Sequence, residues 1–205
     1  MNTWKPVMPS FSSYKKDVFQ KAGEVGEFIY QIGELPSLRN PSKVVPIETI
    51  TTKEYQVKFT YLKQCLQKYR ELTGKGRGIA AIQIGIPECF AVIYHPEKSF
   101  IIINPKVTVK SEKKLIYPEI CMSEYPIIAS VVRPAWIEFT YYDEEGEMHE
   151  WKEKDATKQG RIMNRVFQHE IDHMDGIINI DICNSKDLIL ESDPTYYNAA
   201  KFEEI

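Results

Sequence analysis

The sequence predicts an α+β domain: mainly antiparallel β-sheets packed around a central helix that carries His169-Glu-Ile-Asp-His173, with an additional helix at the N-terminus. Three observations predict it. Apolar residues recur at helical spacing near both ends of the chain, branched and aromatic residues crowd into short runs across the middle, and turn-forming residues separate those runs. With 205 residues, 43% of them apolar, the chain is long enough for one sizeable core and short for two independent enzyme domains.

Taken in order, residues from about Ser13 to Glu34 carry Val18, Phe19, Ala22, Val25, Phe28, Ile29 and Ile32 at helical spacing, predicting a helix stopped near Gly33. Residues 1–34 are read as a helical extension. Leu35 to Pro46 is punctuated by prolines and reads as an extended loop. A second helix is predicted over about Val57–Leu72, with Leu62, Leu66, Tyr69 and Leu72 on one side and Gly74 just beyond. From Gly76 to Lys154 the pattern turns to β in runs such as Cys89–Tyr94, Phe100–Ile103 and Trp136–Tyr142, with a hairpin-type turn at Asp143-Glu-Glu-Gly146. Residues from about Ala156 to Met174 return to helical period and stop before Gly176. The catalytic unit is placed at 35–183, and 184–205 is a polar tail.

The 26 basic and 29 acidic residues are well mixed, so the net charge of −3 gives no footprint for nucleic acid. No run of about 18 apolar residues occurs, which predicts no membrane-spanning helix. The start of the chain lacks the apolar core of a secretory signal. It has no acid before Asp17 and several Ser and Lys residues, a faint echo of an organellar leader that Pro6 and Pro9 oppose. The expectation is a cytoplasmic protein, with an organelle as the alternative. Cys65, Cys89, Cys121 and Cys183 form no CxxC pair, so neither a disulfide framework nor a zinc ribbon is signalled. All but Cys121 sit in apolar runs and read as buried small hydrophobes.

His169 and His173 are four apart on the predicted helix, so both imidazoles reach one metal while Glu170 lies beside it. Ile162 and Val166 extend the stripe backward and put the pair on the buried side. The alternative for the pair is two core histidines satisfied by hydrogen bonds. Two ligands are too few for a catalytic site, which usually takes three. A metzincin-like continuation finds Gly176 in place but Asn179, a weak donor, at the third ligand. A thermolysin-like zinc metallopeptidase draws on Glu191. The remaining candidate is a thiolate, Cys121, in the polar-flanked segment Glu119-Ile-Cys-Met-Ser123 after the strand-like Leu115–Tyr117. Gly76 and Gly78 let backbone approach a bound peptide, with Ala80 and Ala81 leaving room. No G-K-[ST] follows them, which argues against a phosphate loop.

Three segments match, in order, the signatures of peptide deformylases. Gly76-Arg-Gly-Ile-Ala-Ala-Ile-Gln83 fits G-x-G-x-A-A-x-Q, Glu119–Ser123 resembles E-G-C-L-S, and Gln168-His-Glu-Ile-Asp-His173 fits Q-H-E-x-D-H. The resemblance covers roughly residues 36–183. It implies metal ligands Cys121, His169 and His173, a general base Glu170, and oxyanion donors from the Gln83 side chain and the Met122 backbone N–H. It also implies a substrate groove along Gly76, Arg77, Gly78, Glu119, Ile120 and Val166, and a supporting Arg133–Asp172 pair. One divalent ion is implied, Fe(II) in the cell and replaceable by zinc, nickel or cobalt. The implied substrate is the N-formylmethionine end of a newly made polypeptide, with formate released. Two positions depart from the pattern: Ile120 stands where the family has glycine, and Ile128 where it often has a basic residue. They leave a deformylase-like protein of reduced or altered activity as an alternative, with Arg77 offering a charged contact. Some deformylases carry a basic C-terminal helix that could approach the ribosome; this tail ends Lys201-Phe-Glu-Glu-Ile205, and the resemblance is not extended to that contact.

Overall fold

The computed structural model describes residues 13–191 and 201–205; the leader-like first residues lie outside them. Helix α1 covers Ser13–Gly26 and α2 Lys53–Thr73. Strands β1 (Gly78–Ala80), β2 (Phe90–Ile93), β3 (Phe100–Lys110), β4 (Lys114–Ile120), β5 (Ile127–Pro134), β6 (Ile137–Tyr142) and β7 (Met148–Trp151) follow. Helix α3 covers Lys158–Met174, and β8 (Ile189–Leu190) and β9 (Glu203–Glu204) lie in the tail. Among the described residues two antiparallel sheets form, one of five strands ordered β1-β2-β3-β6-β7 and one of four ordered β8-β5-β4-β9.

The five-stranded sheet is covered on both faces. Phe90 and Val92 of β2, with Ile101 and Ile103 of β3, pack with Phe59, Leu62 and Leu66 of α2 and Val18 of α1. The alternate residues Ala91, Ile93 and Ile102 pack with Met163, Val166 and Phe167 of α3. Successive strand side chains point to opposite faces, so burial on both sides requires the unbroken apolar runs seen in the sequence.

Helix α3 is anchored before it presents any ligand. Thr157 caps it, its hydroxyl accepting from the Gly160 N–H at 2.8 Å. Fully buried Asn164 accepts from the Ile137 N–H at 2.9 Å and donates to Glu153 and Gly160 carbonyls, which ties the helix to β6. Thr157→Ala is expected to cost about 1 kcal/mol, read as a lowered urea midpoint at unchanged slope.

The sequence overran α1. The helix ends at Gly26, and Ile29 and Ile32 are buried or half-buried beyond it. There the Tyr30 N–H donates to the Gln83 carbonyl (2.9 Å) and the Ile32 N–H to the Ser123 carbonyl (2.8 Å), so cross-chain pairing wins over helical periodicity. α2 starts four residues earlier than expected and closes on Gly74 at φ 72°. The tail, read from the sequence only as polar, supplies two edge strands. Cys65 is buried as expected, but Cys89 and Cys183 are only half-buried. Among the described residues no helix is long and apolar enough to cross a membrane.

Candidate metal centre and active site

Strand β4 delivers the thiol. Its pairing with β5 runs unbroken from Lys114↔Pro134 to Ile120↔Ile128, which fixes which side chains face α3. Leu115, Tyr117, Glu119 and Cys121 share that face, and Cys121 is fully buried at the strand end, ahead of a short 3-10 turn, Met122–Glu124. The segment expected to be a polar-flanked loop is therefore a buried strand end. Its polar neighbour Glu119 points inward because three side chains meet it there with four contacts.

Glu119 Oε1 accepts from Arg133 Nε (2.8 Å) and Arg165 Nη1 (3.0 Å), and Oε2 from Arg133 Nη2 (3.1 Å). Oε2 also meets His169 Nδ1 at 2.8 Å. Arg133 reaches Asp172 as well. Two guanidiniums and two carboxylates thus balance inside the protein. Burial alone raises Glu119, but Arg133 and His169 hold its carboxyl well below the usual range. The groove role expected for Glu119 is not where its oxygens go: they orient His169.

Arg165, His169 and His173 lie four apart on one stripe of α3. With Nδ1 on Glu119, His169 turns Nε2 outward, and His173 Nε2 lies 3.2 Å from Cys121 Sγ. One donor atom from each of Cys121, His169 and His173 lies within 4.8 Å of the others. Burial lowers His169, yet hydrogen bonding to Cys121 and Glu119 holds it well above the ordinary imidazole value. Burial and the charge of His169 push His173 well below it. Burial pushes the Cys121 thiol up against the pull of His169. A thiol and two imidazoles converging with so little room fit a divalent cation, which replaces the protons they otherwise hold. The thiolate favours borderline ions over Mg or Ca.

Glu170 is 3% exposed and pushed up to about 7 by burial, with His169 opposing; its Oε2 is buried with no hydrogen-bond partner among the described residues. The room for it comes from Gly78, where a Cβ would overlap Oε1 and sit 2.7 Å from Cδ. The sequence assigned Gly78 to close approach of a peptide; the neighbour that uses the gap is Glu170. Gly78→Ala is expected to displace the carboxylate and lower kcat by about ten-fold or more at unchanged metal content. Full activity in that variant would remove Gly78 from the catalytic arrangement. Gly76, at φ 98°, packs against Met122 and Tyr69. Arg77 is exposed at the start of β1, and with Arg165 it draws down Tyr117, which burial raises overall.

Gln83 is 1% exposed, and its orientation is fixed because Oε1 accepts from the Ala80 N–H at 2.9 Å. Nε2 then faces Ser123 Oγ (3.1 Å) and Cys121 Sγ (3.6 Å). Ile120 turns to the opposite face of β4 from Cys121, packing on the α2 side across from Ile128. Val166 lies against the same cluster as Cys121. Neither alternative third ligand joins the group. Asn179 lies beside Glu124, a buried acid that desolvation pushes up to about 7. Glu191 accepts from Tyr14 Oη at 2.9 Å and pairs with Lys75. Sequence reasoning missed Arg165, although a charge on an otherwise apolar stripe, one turn before His169, was its signal.

The donor chemistry and the seating of Glu170 define a class, the metal-dependent hydrolases. The family described as polypeptide deformylase matches residues 29–188, and the chain belongs to it. A peptide deformylase of Bartonella tribocorum is 33% identical over 153 residues, covering 71% of this chain and 78% of that one. One from Rhizobium meliloti is 39% identical over 111 residues; the match covers 52% of this chain and 60% of that protein's length. The crystal structure of a probable peptide deformylase from Synechococcus phage S-SSM7 superposes with a TM-score of 0.63 at 30% identity, over 75% of this chain and 97% of that one.

Proposed function

We propose that this chain removes the formyl group from the N-terminal methionine of newly made polypeptides, releasing formate. The observation that carries the reading is Glu170, a buried carboxyl seated beside three converging metal donors in a member of this family. Cys121, His169 and His173 would hold one divalent ion, which supplies Lewis acidity and lowers the pKa of water. Fe(II) is the proposed native ion, with Zn, Ni or Co able to replace it. Glu170 takes the proton of the attacking water, the Gln83 amide and the Met122 N–H donate to the oxygen that becomes anionic, and Glu170 returns the proton to the leaving amine. Burial raises Glu170 toward neutrality, which suits a group that must both accept and return a proton.

Beside these groups, among the described residues, β1 is the outer strand of one sheet, and β4 has β5 on one side only along Pro118–Ile120. An extended peptide fits between such edges by main-chain pairing, with the methionine side chain toward Val166 and Arg77 at the mouth. Ile120 faces away from the donors, which favours an active enzyme over an inactive relative. Partners are formylated nascent chains, and the proposed location is the cytoplasm. Formate release from a formyl-Met peptide, run beside an unformylated peptide with metal analysis, tests this. Cleavage of the unformylated peptide would favour the metallopeptidase reading, and metal without turnover the inactive one.

A further inference from the structure

We propose that the C-terminal segment 201–205 sets how many residues of a polypeptide the groove accepts in extended form, making it a length-specificity determinant; this rests on the reading of the groove above. An exposed strand edge is a template for another strand. On the edge of β4 away from β5, Glu204 pairs with Leu115 and Glu203 with Ile116, antiparallel. The Ile205 N–H donates to the Lys114 carbonyl at 3.2 Å, and Glu204 meets Lys113 at 3.1 Å. Phe202 stacks on Tyr117 with centroids 4.3 Å apart and planes 21° apart, and the Arg165 guanidinium lies 5.9 Å from the same ring. The edge is therefore taken from Lys114 to Tyr117.

Pro118, Glu119 and Ile120 separate that block from Cys121, and among the described residues no strand pairs with them on this edge. A substrate with its formyl group at the Cys121 end must run back along β4 toward Lys114. That direction is antiparallel to β4, the same as β9, so substrate and C-terminal strand lie end to end on one edge. Three positions at roughly 3.3 Å each leave about 10 Å. A formylated peptide of about three residues fits with the segment in place, and a longer one displaces it. A two-residue ladder, one stacked pair and an exposed ion pair form a weak attachment, displaceable yet measurable as an about ten-fold rise in KM.

The test compares a formyl-Met dipeptide with a formylated heptapeptide on the full chain, on a chain ending at residue 200, and on Phe202→Ala. Expected is a KM for the heptapeptide about ten-fold higher than for the dipeptide on the full chain, falling to near parity in the truncated chain and in part in Phe202→Ala. A heptapeptide-to-dipeptide KM ratio that is the same in all three proteins overturns the inference while leaving the deformylase reading intact. Phe202→Ala, which keeps the whole chain, gives the same readout should truncation impair folding. A full chain that does not deformylate even the dipeptide overturns the parent reading and this one with it.

Discussion

Glu170→Gln is expected to keep one metal per chain and to turn over formyl-Met peptide about 1,000-fold more slowly. The substitution preserves shape, so the space left by Gly78 stays filled and none of Cys121, His169 and His173 is touched. What disappears, on the proposed mechanism, is the ability to take a proton from water and give it to the departing amine, a contribution of about 100- to 10,000-fold for a positioned group. Burial makes the loss hard to bypass, because solvent does not readily substitute at a carboxyl only 3% exposed. Metal analysis and kcat on the same preparation decide the matter. A fully loaded variant within about ten-fold of the parent rate would show that Glu170 is not the base.

Arg133→Ala is expected to cost about 3–5 kcal/mol of stability, the largest effect of any single change outside the donor set. Arg133 is 4% exposed and serves two acids, giving two hydrogen bonds to Glu119 and reaching Asp172. Its removal leaves Glu119 buried with Arg165 as its remaining cationic partner beside the His169 Nδ1 contact. Arg133→Lys is expected to recover only part of the loss, because an ammonium does not reproduce the paired N–H groups. Urea unfolding checks the stability, and metal titration checks a second consequence. Once Glu119 is less firmly held, the Nδ1 contact that orients His169 loosens and metal affinity falls by roughly 10- to 100-fold. A drop in stability below about 1 kcal/mol would show that this cluster is not a structural keystone.

Much of this was legible in the chain because the period did the work. α3 was placed within two residues, since its apolar stripe is strong and its histidines fall on it. The runs that became β2 and β3 were visible because burial on both faces removes polar interruptions. The failures have physical causes. α1 overran because Ile29 and Ile32 keep helical spacing while the Tyr30 and Ile32 N–H groups pair with the distant Gln83 and Ser123 carbonyls. β8 and β9 are two residues long, and pairing across the fold, rather than local propensity, makes them strands. Arg165 was passed over because an arginine on a helix is ordinarily a surface residue. Gly78 displayed a missing side chain, but nothing in one dimension says that Glu170 fills the gap.

The doubly covered sheet also determines where the molecule can absorb change. Along Phe90–Ile93 no side chain faces water, so every alteration in volume is passed to a helix layer: toward α2 at Phe90 and Val92, toward α3 at Ala91 and Ile93. The second direction leads to the imidazoles. β2 therefore works as a shared bearing surface, and damage to the metal centre can originate in a strand that contributes no atom to it.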